Sequence, residues 1–142
     1  MSSDRVPNIV LLQDYEDANT VISGVLSLKG CQVYKTTNPE SCLSIVGELG
    51  KKADVVLIKK EIALSGDSMV LKSIRKINPA IIVIVLADNG EEEGTLQEQQ
   101  IDEFVQTPVS AENLADKILI LMAKKQLKKI KETQLESDPI EQ

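Results

Sequence analysis

Short blocks of uninterrupted apolar residues alternate along this chain with longer stretches in which apolar side chains recur every three or four positions. The blocks are Asn8 to Leu12, a weaker Gln32 to Lys35, Asp54 to Lys59, Ile81 to Ala87 and the brief Phe104-Val105. Blocks that are apolar throughout, rather than alternating, predict strands covered on both faces. Helical spacing follows each of them. Val21, Ile22, Val25 and Leu28 predict an inner face for a helix over Glu16 to Lys29, ended by Gly30. Asn38-Pro39-Glu40 supplies an N-cap, a proline at the first helical position and an early acid, with Cys42, Leu43, Val46 and Leu49 as the inner face behind it. A loop is expected after Lys59. Ser65 to Asp67 then caps a third helix that buries Val70, Leu71, Ile74 and Ile77 and stops at Asn78-Pro79. Asn89 to Gln100, with two glycines and a run of three glutamates, predicts only a short or mobile helix. Ser110 opens a final helix expected to reach about Glu132, and the polar sequence after Thr133 is expected to be disordered.

Five strands alternating with five helical segments at short spacing predict a doubly wound α/β sandwich around a parallel sheet, because right-handed crossovers lay helices on both faces. Open sheets of this kind hold ligands outside the carboxyl ends of their strands. The stretch Asp54 to Gly66, DVVLIKKEIALSG, therefore places the centre of interest near Lys59. Residues 1–7 read as a tail, 8–125 as the domain, and 126–142 as a helix extension with a polar end.

Composition narrows the function. The 142 residues suit one domain with one core, and 16 basic against 22 acidic residues give a net charge of −6, which argues against general affinity for nucleic acid or an anionic membrane. Only three aromatic residues, two Tyr and one Phe, leave no platform for stacking bases. Histidine is absent, so the common zinc sites and histidine acid/base chemistry are excluded, and no glycine-rich phosphate loop follows the first strand. Cys31 and Cys42 read as small apolar fillers in a reduced, cytoplasmic protein. No metal and no cofactor is expected; Asp14 is the one candidate carboxylate if a cation binds.

Four places in the chain carry a resemblance. Leu12-Gln13-Asp14, Lys59, Leu86-Ala87 and Thr107-Pro108-Val109-Ser110 stand at the spacing and strand context of the functional positions of response-regulator receiver domains. From Asn8 to about Lys125 the chain resembles that family. The resemblance implies a flavodoxin-like fold of strand order 2-1-3-4-5, with Lys59 at the phosphoacceptor position and Asp14 matching a metal-binding carboxylate. Gln13, Leu86 and Thr107 stand where the family carries an acid, a hydroxyl and a lysine, and Phe104 matches the family's switch aromatic. Phosphorylating an aspartate needs a carboxylate nucleophile, a divalent cation, and a hydroxyl and an ammonium to hold the transferred oxygens. With Lys59, Leu86 and Thr107 in these places, the reading is a pseudoreceiver: a non-catalytic two-component signalling module that works by protein contact, its partner unidentified. Lys59 is expected to lie beside Asp14 in place of the cation. Two alternatives stand beside this one: an atypical regulator using Asp14, Glu61 or Asp67 for a cation or phosphoryl group, and a small-molecule sensor in the crevice at the strand ends.

The final helix carries two stripes. Leu114, Ile118, Leu121 and Met122 should pack on the sheet, while Ile120, Ala123, Leu127 and Ile130 lie roughly 180° away on a wheel of about 100° per residue. A domain core needs only the first stripe. The second has the spacing of a short coiled-coil seam and is expected to mediate association, as a homodimer or with a partner.

Overall fold

The computed structural model describes residues 6–13, 16–88, 101–107 and 109–137. Its elements are β1 (Asn8–Leu12), α1 (Glu16–Leu28), β2 (Gln32–Thr36), α2 (Pro39–Leu49), a 3-10 turn (Gly50–Lys52), β3 (Val55–Lys59), α3 (Lys60–Ile77), β4 (Ile82–Asp88), β5 (Glu103–Thr107) and α4 (Ala111–Ser137). All five strands are parallel, in the order β2-β1-β3-β4-β5. This is the doubly wound, flavodoxin-like sheet that the resemblance implied. The segment from Asn89 to Gln100 lies outside the described residues.

The apolar blocks are apolar because both faces of the sheet are covered. Along β1 and β3, Ile9 to Leu12 and Val55 to Ile58 are fully buried, and alternate residues serve two separate cores. Val10, Leu12, Val56, Ile58, Val83 and Val85 pack on one face with Cys42 and Val46 of α2 and Ala63, Leu71 and Ile74 of α3. Ile9, Leu11, Val55, Leu57, Ile84 and Leu86 pack on the other with Ile22 and Leu26 of α1 and Leu114, Ala115 and Ile118 of α4. A strand's period of two sorts these sets without further instruction.

Local signals set several boundaries. Asn38 caps α2 by accepting a hydrogen bond from the Ser41 amide at 2.9 Å, and Ser110 accepts one from the Asn113 amide at 3.0 Å at the head of α4. Gly30, with φ 93, supplies the left-handed residue after α1.

Four expectations need correction. In α1 the inner face is Ile22 and Leu26, whereas Val21 and Leu28 are 62% and 90% exposed. Ile22 and Leu26 are four residues apart, one above the other, and the 3.6-residue period turns Val21 and Leu28 away from them. Ile77, at the end of α3, is 39% exposed and falls outside the core. The chain does not loop after Lys59 but enters α3 at once. Ser65 to Asp67 marks an interruption rather than a start, since Gly66 and Ser68 take φ 60 and 62 within that segment. Ala63, before the interruption, is fully buried, so this first part of α3 is held by the core. Finally, α4 continues through Thr133 to Ser137, because nothing before Pro139 breaks the helix.

At the amino-terminal edge of the sheet, two side chains tie the layers together. Buried Asn78 donates from Nδ2 to the Gly50 and Ala53 carbonyls at 3.1 and 2.9 Å, and its Oδ1 accepts from the Ala80 amide at 3.1 Å. Arg75 donates from Nη1 to the Pro79 carbonyl at 3.1 Å and to the Ile81 carbonyl at 2.5 Å. Its Nη2 meets Asp102 Oδ2 at 2.8 Å, and that oxygen also accepts from the Val83 amide at 2.7 Å. Asp102 thereby fixes the chain entering β5 to the start of β4.

Both cysteines are buried free thiols. Burial pushes the Cys42 thiol from the usual 9.0 up to about 12, with a hydrogen bond to Thr36 pulling the other way. Burial, then the charge of Asp54, raises Cys31 as well.

Removing the Asn78 side-chain amide takes a partner from the Ala53 carbonyl and the Ala80 amide at the base of the sheet, while the Gly50 carbonyl keeps its bond from the Ala53 amide. Asn78→Ala is expected to lower unfolding stability by about 2–3 kcal/mol. Leu28→Ser, on an exposed face, is expected to stay within about 0.5 kcal/mol. Urea denaturation checks both. Stability should also depend on pH through the thiols. Above pH 9.0 the unfolded chain's Cys42 ionises while the folded one keeps its proton, so stability present below that pH falls as pH rises towards about 12. A series of urea midpoints should show a steeper alkaline decline for the wild type than for Cys42→Ala, and both thiols should resist Ellman's reagent at neutral pH until urea is added.

Candidate functional site

The carboxyl ends of β1, β3, β4 and β5 form one rim. Parallel register pairs Leu12 with Ile58, so Gln13, the next residue, stands level with Lys59. Lys59 pairs with Leu86, Leu86 with Val105, and, two residues further out, Asp88 with Thr107. Three of the positions singled out in the sequence, Gln13, Lys59 and Leu86, thus form one row across the sheet, and Thr107 lies at the end of the next strand. By alternation this row continues the face of Leu11, Leu57 and Ile84, the one covered by α1 and α4.

The chemistry of the row is set by what each strand end does. Gln13 is buried, and its backbone N–H donates to the Thr36 carbonyl at 3.3 Å, which extends the pairing of β1 and β2 beyond β1 itself. Thr36 is buried too, and its hydroxyl donates to the Leu11 carbonyl at 2.6 Å. Leu86 is buried within the apolar cluster against α4 and presents hydrocarbon at the rim. Lys59 is half-buried, in extended backbone, and occupies the N-cap position of α3.

That last arrangement is the feature sequence reasoning missed. Because α3 begins at Lys60, its amino-terminal amides lie immediately beside Lys59, and the positive end of the helix dipole adds to the charges of Lys59 and Lys60. The only acid in the first turn is Glu61, which is exposed. Among the described residues no group of three His, Cys, Asp or Glu side chains is placed to hold a metal ion. Asp14 lies outside the described residues, and so does its expected approach to Lys59. The sequence carried a signal for the early helix: Ile62 and Ala63 fall at helical spacing ahead of Val70, but the capping residues at Ser65 to Asp67 drew the boundary past them.

Phe104 is half-buried and packs against the cluster on the α2/α3 face, opposite in direction from its neighbour Val105. Its ring is therefore on the other side of the sheet from the Gln13–Lys59–Leu86 row.

On α4 the two stripes separate as expected. Leu114 and Ile118 are buried, and Leu121 and Met122 are half-buried against the α1/α4 core. Ile120, Leu127 and Ile130 are 54%, 60% and 46% exposed, and Ala123 is exposed between them. A shallow groove of about 290 Å³ runs beside β5 and the start of this stripe, lined by Glu103, Asn113, Asp116, Lys117, Ile120, Leu121 and Lys124. Lys117 crosses its floor to Glu103 at 3.1 Å. Nearby, Lys29 ties α1 to α4 through Glu112 at 3.5 Å and Asp116 at 3.4 Å, and its ammonium is raised above the usual range, chiefly by the charge of Glu112.

No helix among the described residues is long and apolar enough to cross a membrane.

No protein-family model matches the chain, and no curated protein matches its sequence. Solved structures do. A response-regulator receiver domain protein from Clostridium thermocellum superposes with a TM-score of 0.74 at 26% identity, over 86% of this chain and 98% of that one. An orphan response regulator of H. pylori gives 0.69 at 22% identity, over 81% and 95%. An adenylate cyclase structure from Rhodopirellula baltica gives 0.73 at 19% identity, over 94% and 99%. What these similarities establish is the fold: the chain is a flavodoxin-like α/β domain of the kind found in response-regulator receivers.

Proposed function

We propose that this chain is a pseudoreceiver, a signalling module of the two-component type that keeps the receiver fold, performs no phosphotransfer, and acts by binding another protein. The observation that carries this reading is the row Gln13–Lys59–Leu86 at the strand ends, an amide, an ammonium and a hydrocarbon in register. An ammonium at Lys59 offers no carboxylate to phosphorylate, and with Lys60 and the head of α3 it opposes the cation such chemistry requires. Leu86 has no hydrogen to donate to a phosphoryl oxygen. The likeness to a structure described as an adenylate cyclase is one of fold, at 19% identity, and brings no cyclase chemistry to this rim.

Support for action through contact comes from α4, whose exposed stripe is surface that the domain's own folding does not use. A ligand in the strand-end crevice is the less favoured reading, since the flank of β3 is occupied by the first turn of α3 rather than by an open loop.

Incubation with acetyl phosphate and magnesium, followed by intact mass, should leave the protein unmodified; a stoichiometric, acid-labile adduct on a carboxylate would overturn the pseudoreceiver reading. A Lys59→Asp variant supplies a carboxylate but neither the hydroxyl at Leu86 nor a lysine at Thr107. Its phosphorylation is therefore expected to remain at least about a hundredfold slower than that of an intact receiver assayed beside it, the order of loss expected when one electrostatic contact to the transferred group is missing.

A further inference from the structure

From Lys117 to Lys131 the sequence of α4 holds six lysines and no acid, in a chain whose net charge is −6. This basic run begins where α4 is still packed on the sheet and extends beyond that packing. Among the described side chains of α4, Ile118 is the last fully buried and Met122 the last that packs on the core, and the helix continues to Ser137. At about 1.5 Å per residue the projecting part is some 20 Å long. Ile120, on the packed part, and Leu127 and Ile130 beyond it are exposed, and Lys124 and Lys128, both exposed, lie along one border of that stripe at helical spacing.

The charge pattern selects the occupant. In a seam with Ile120 and Leu127 at one core position and Ala123 and Ile130 at the other, the flanking position on one side is lysine at 117, 124 and 131. A second copy packed antiparallel would set these lysines against each other, and a second copy packed parallel would still lay two basic runs side by side. Exposed Asp116, at the head of the seam, is the one carboxylate a second copy would bring to it, against lysine at every flanking position on that side. A membrane surface fits poorly as well, since the stripe carries no aromatic residue and the remainder of the chain is strongly acidic.

We infer that the exposed stripe of α4 docks an acidic amphipathic helix of a partner protein, with Ile120, Leu127 and Ile130 received by its apolar face and Lys124 and Lys128 by glutamates or aspartates flanking that face. This inference rests on the proposed role as a contact module and names the chemistry of the partner. Apolar contact gives the complex its stability, while the lysine border gives it orientation and excludes self-pairing.

The test uses the full chain and a labelled synthetic helix with leucine at the core positions and glutamate at the flanking ones, titrated by fluorescence anisotropy. A second peptide carries lysine at the flanking positions. Binding of the glutamate peptide that weakens with salt, at least a tenfold preference over the lysine peptide, and at least a tenfold loss in both Leu127→Ser and a Lys124→Glu/Lys128→Glu variant are expected. Circular dichroism of each variant guards against loss of the fold. Equal affinity for the two peptides, or none for either, would overturn the inference. So would sedimentation showing a dimer of the unliganded chain that Leu127→Ser dissociates, or co-sedimentation of the chain with phosphatidylserine vesicles that the same substitution abolishes. Phosphate uptake is scored separately by mass, so failure of the docking inference and failure of the pseudoreceiver reading give different results.

Discussion

The constraint on which this molecule turns is that β1, β3 and β4 are buried on both faces at once. Ile9 to Leu12, Val55 to Ile58 and Val83 to Val85 have no exposed surface, and two layers of helices are required to keep them so. Every residue within these strands is thereby committed to packing, and only the positions where a strand runs out can carry chemistry. Gln13, Lys59 and Leu86 occupy those positions. Since strand register fixes which ends are level, a change of chemistry at the rim requires no change in the fold behind it. A receiver fold without receiver chemistry is thus a physically reasonable object: the core demands apolar blocks of a given length, and it is indifferent to the residue types that stand just beyond their carboxyl ends.

The entry into α3 shows how the rim can differ while the core stays the same. Lys59 closes β3 and, in the same step, occupies the N-cap position of the helix. An ammonium is not a capping acceptor, and it lies at the helix end where an anion would be favoured. Ala63, buried one turn later, anchors this first turn, and the left-handed backbone at Gly66 and Ser68 then re-aims the chain so that Val70, Leu71 and Ile74 reach the same cluster.

The fold was largely legible in the sequence, because uninterrupted apolar runs such as Val55 to Ile58 arise for few reasons other than a doubly covered strand. Asn38-Pro39-Glu40 and Ser110 marked helix starts correctly because capping is a local interaction. Helix faces were less legible. Val21 and Leu28 are apolar yet exposed, and only the neighbours that the sheet provides decide that Ile22 and Leu26 face inward instead. Capping chemistry also misled at Ser65 to Asp67, where side chains suited to a helix start sit at a break inside one segment. At the site, the sequence supplied the identities of Gln13, Lys59, Leu86 and Thr107. The helix amino terminus beside Lys59 depends on a backbone path that residue types alone do not determine. In α4 both stripes were readable from spacing, since each needs only the period of the helix.

The central claim is that the strand-end rim takes up neither a divalent cation nor a phosphoryl group. Its most direct measurement is a titration of the isotopically labelled full chain with magnesium, alone and with beryllofluoride as a phosphoryl mimic, monitored by amide chemical shifts. The account predicts that the amides of Gln13, Lys59 and Leu86 do not move beyond the uniform effect of added salt. Saturable shifts confined to those residues, deepening when beryllofluoride is added, would contradict it.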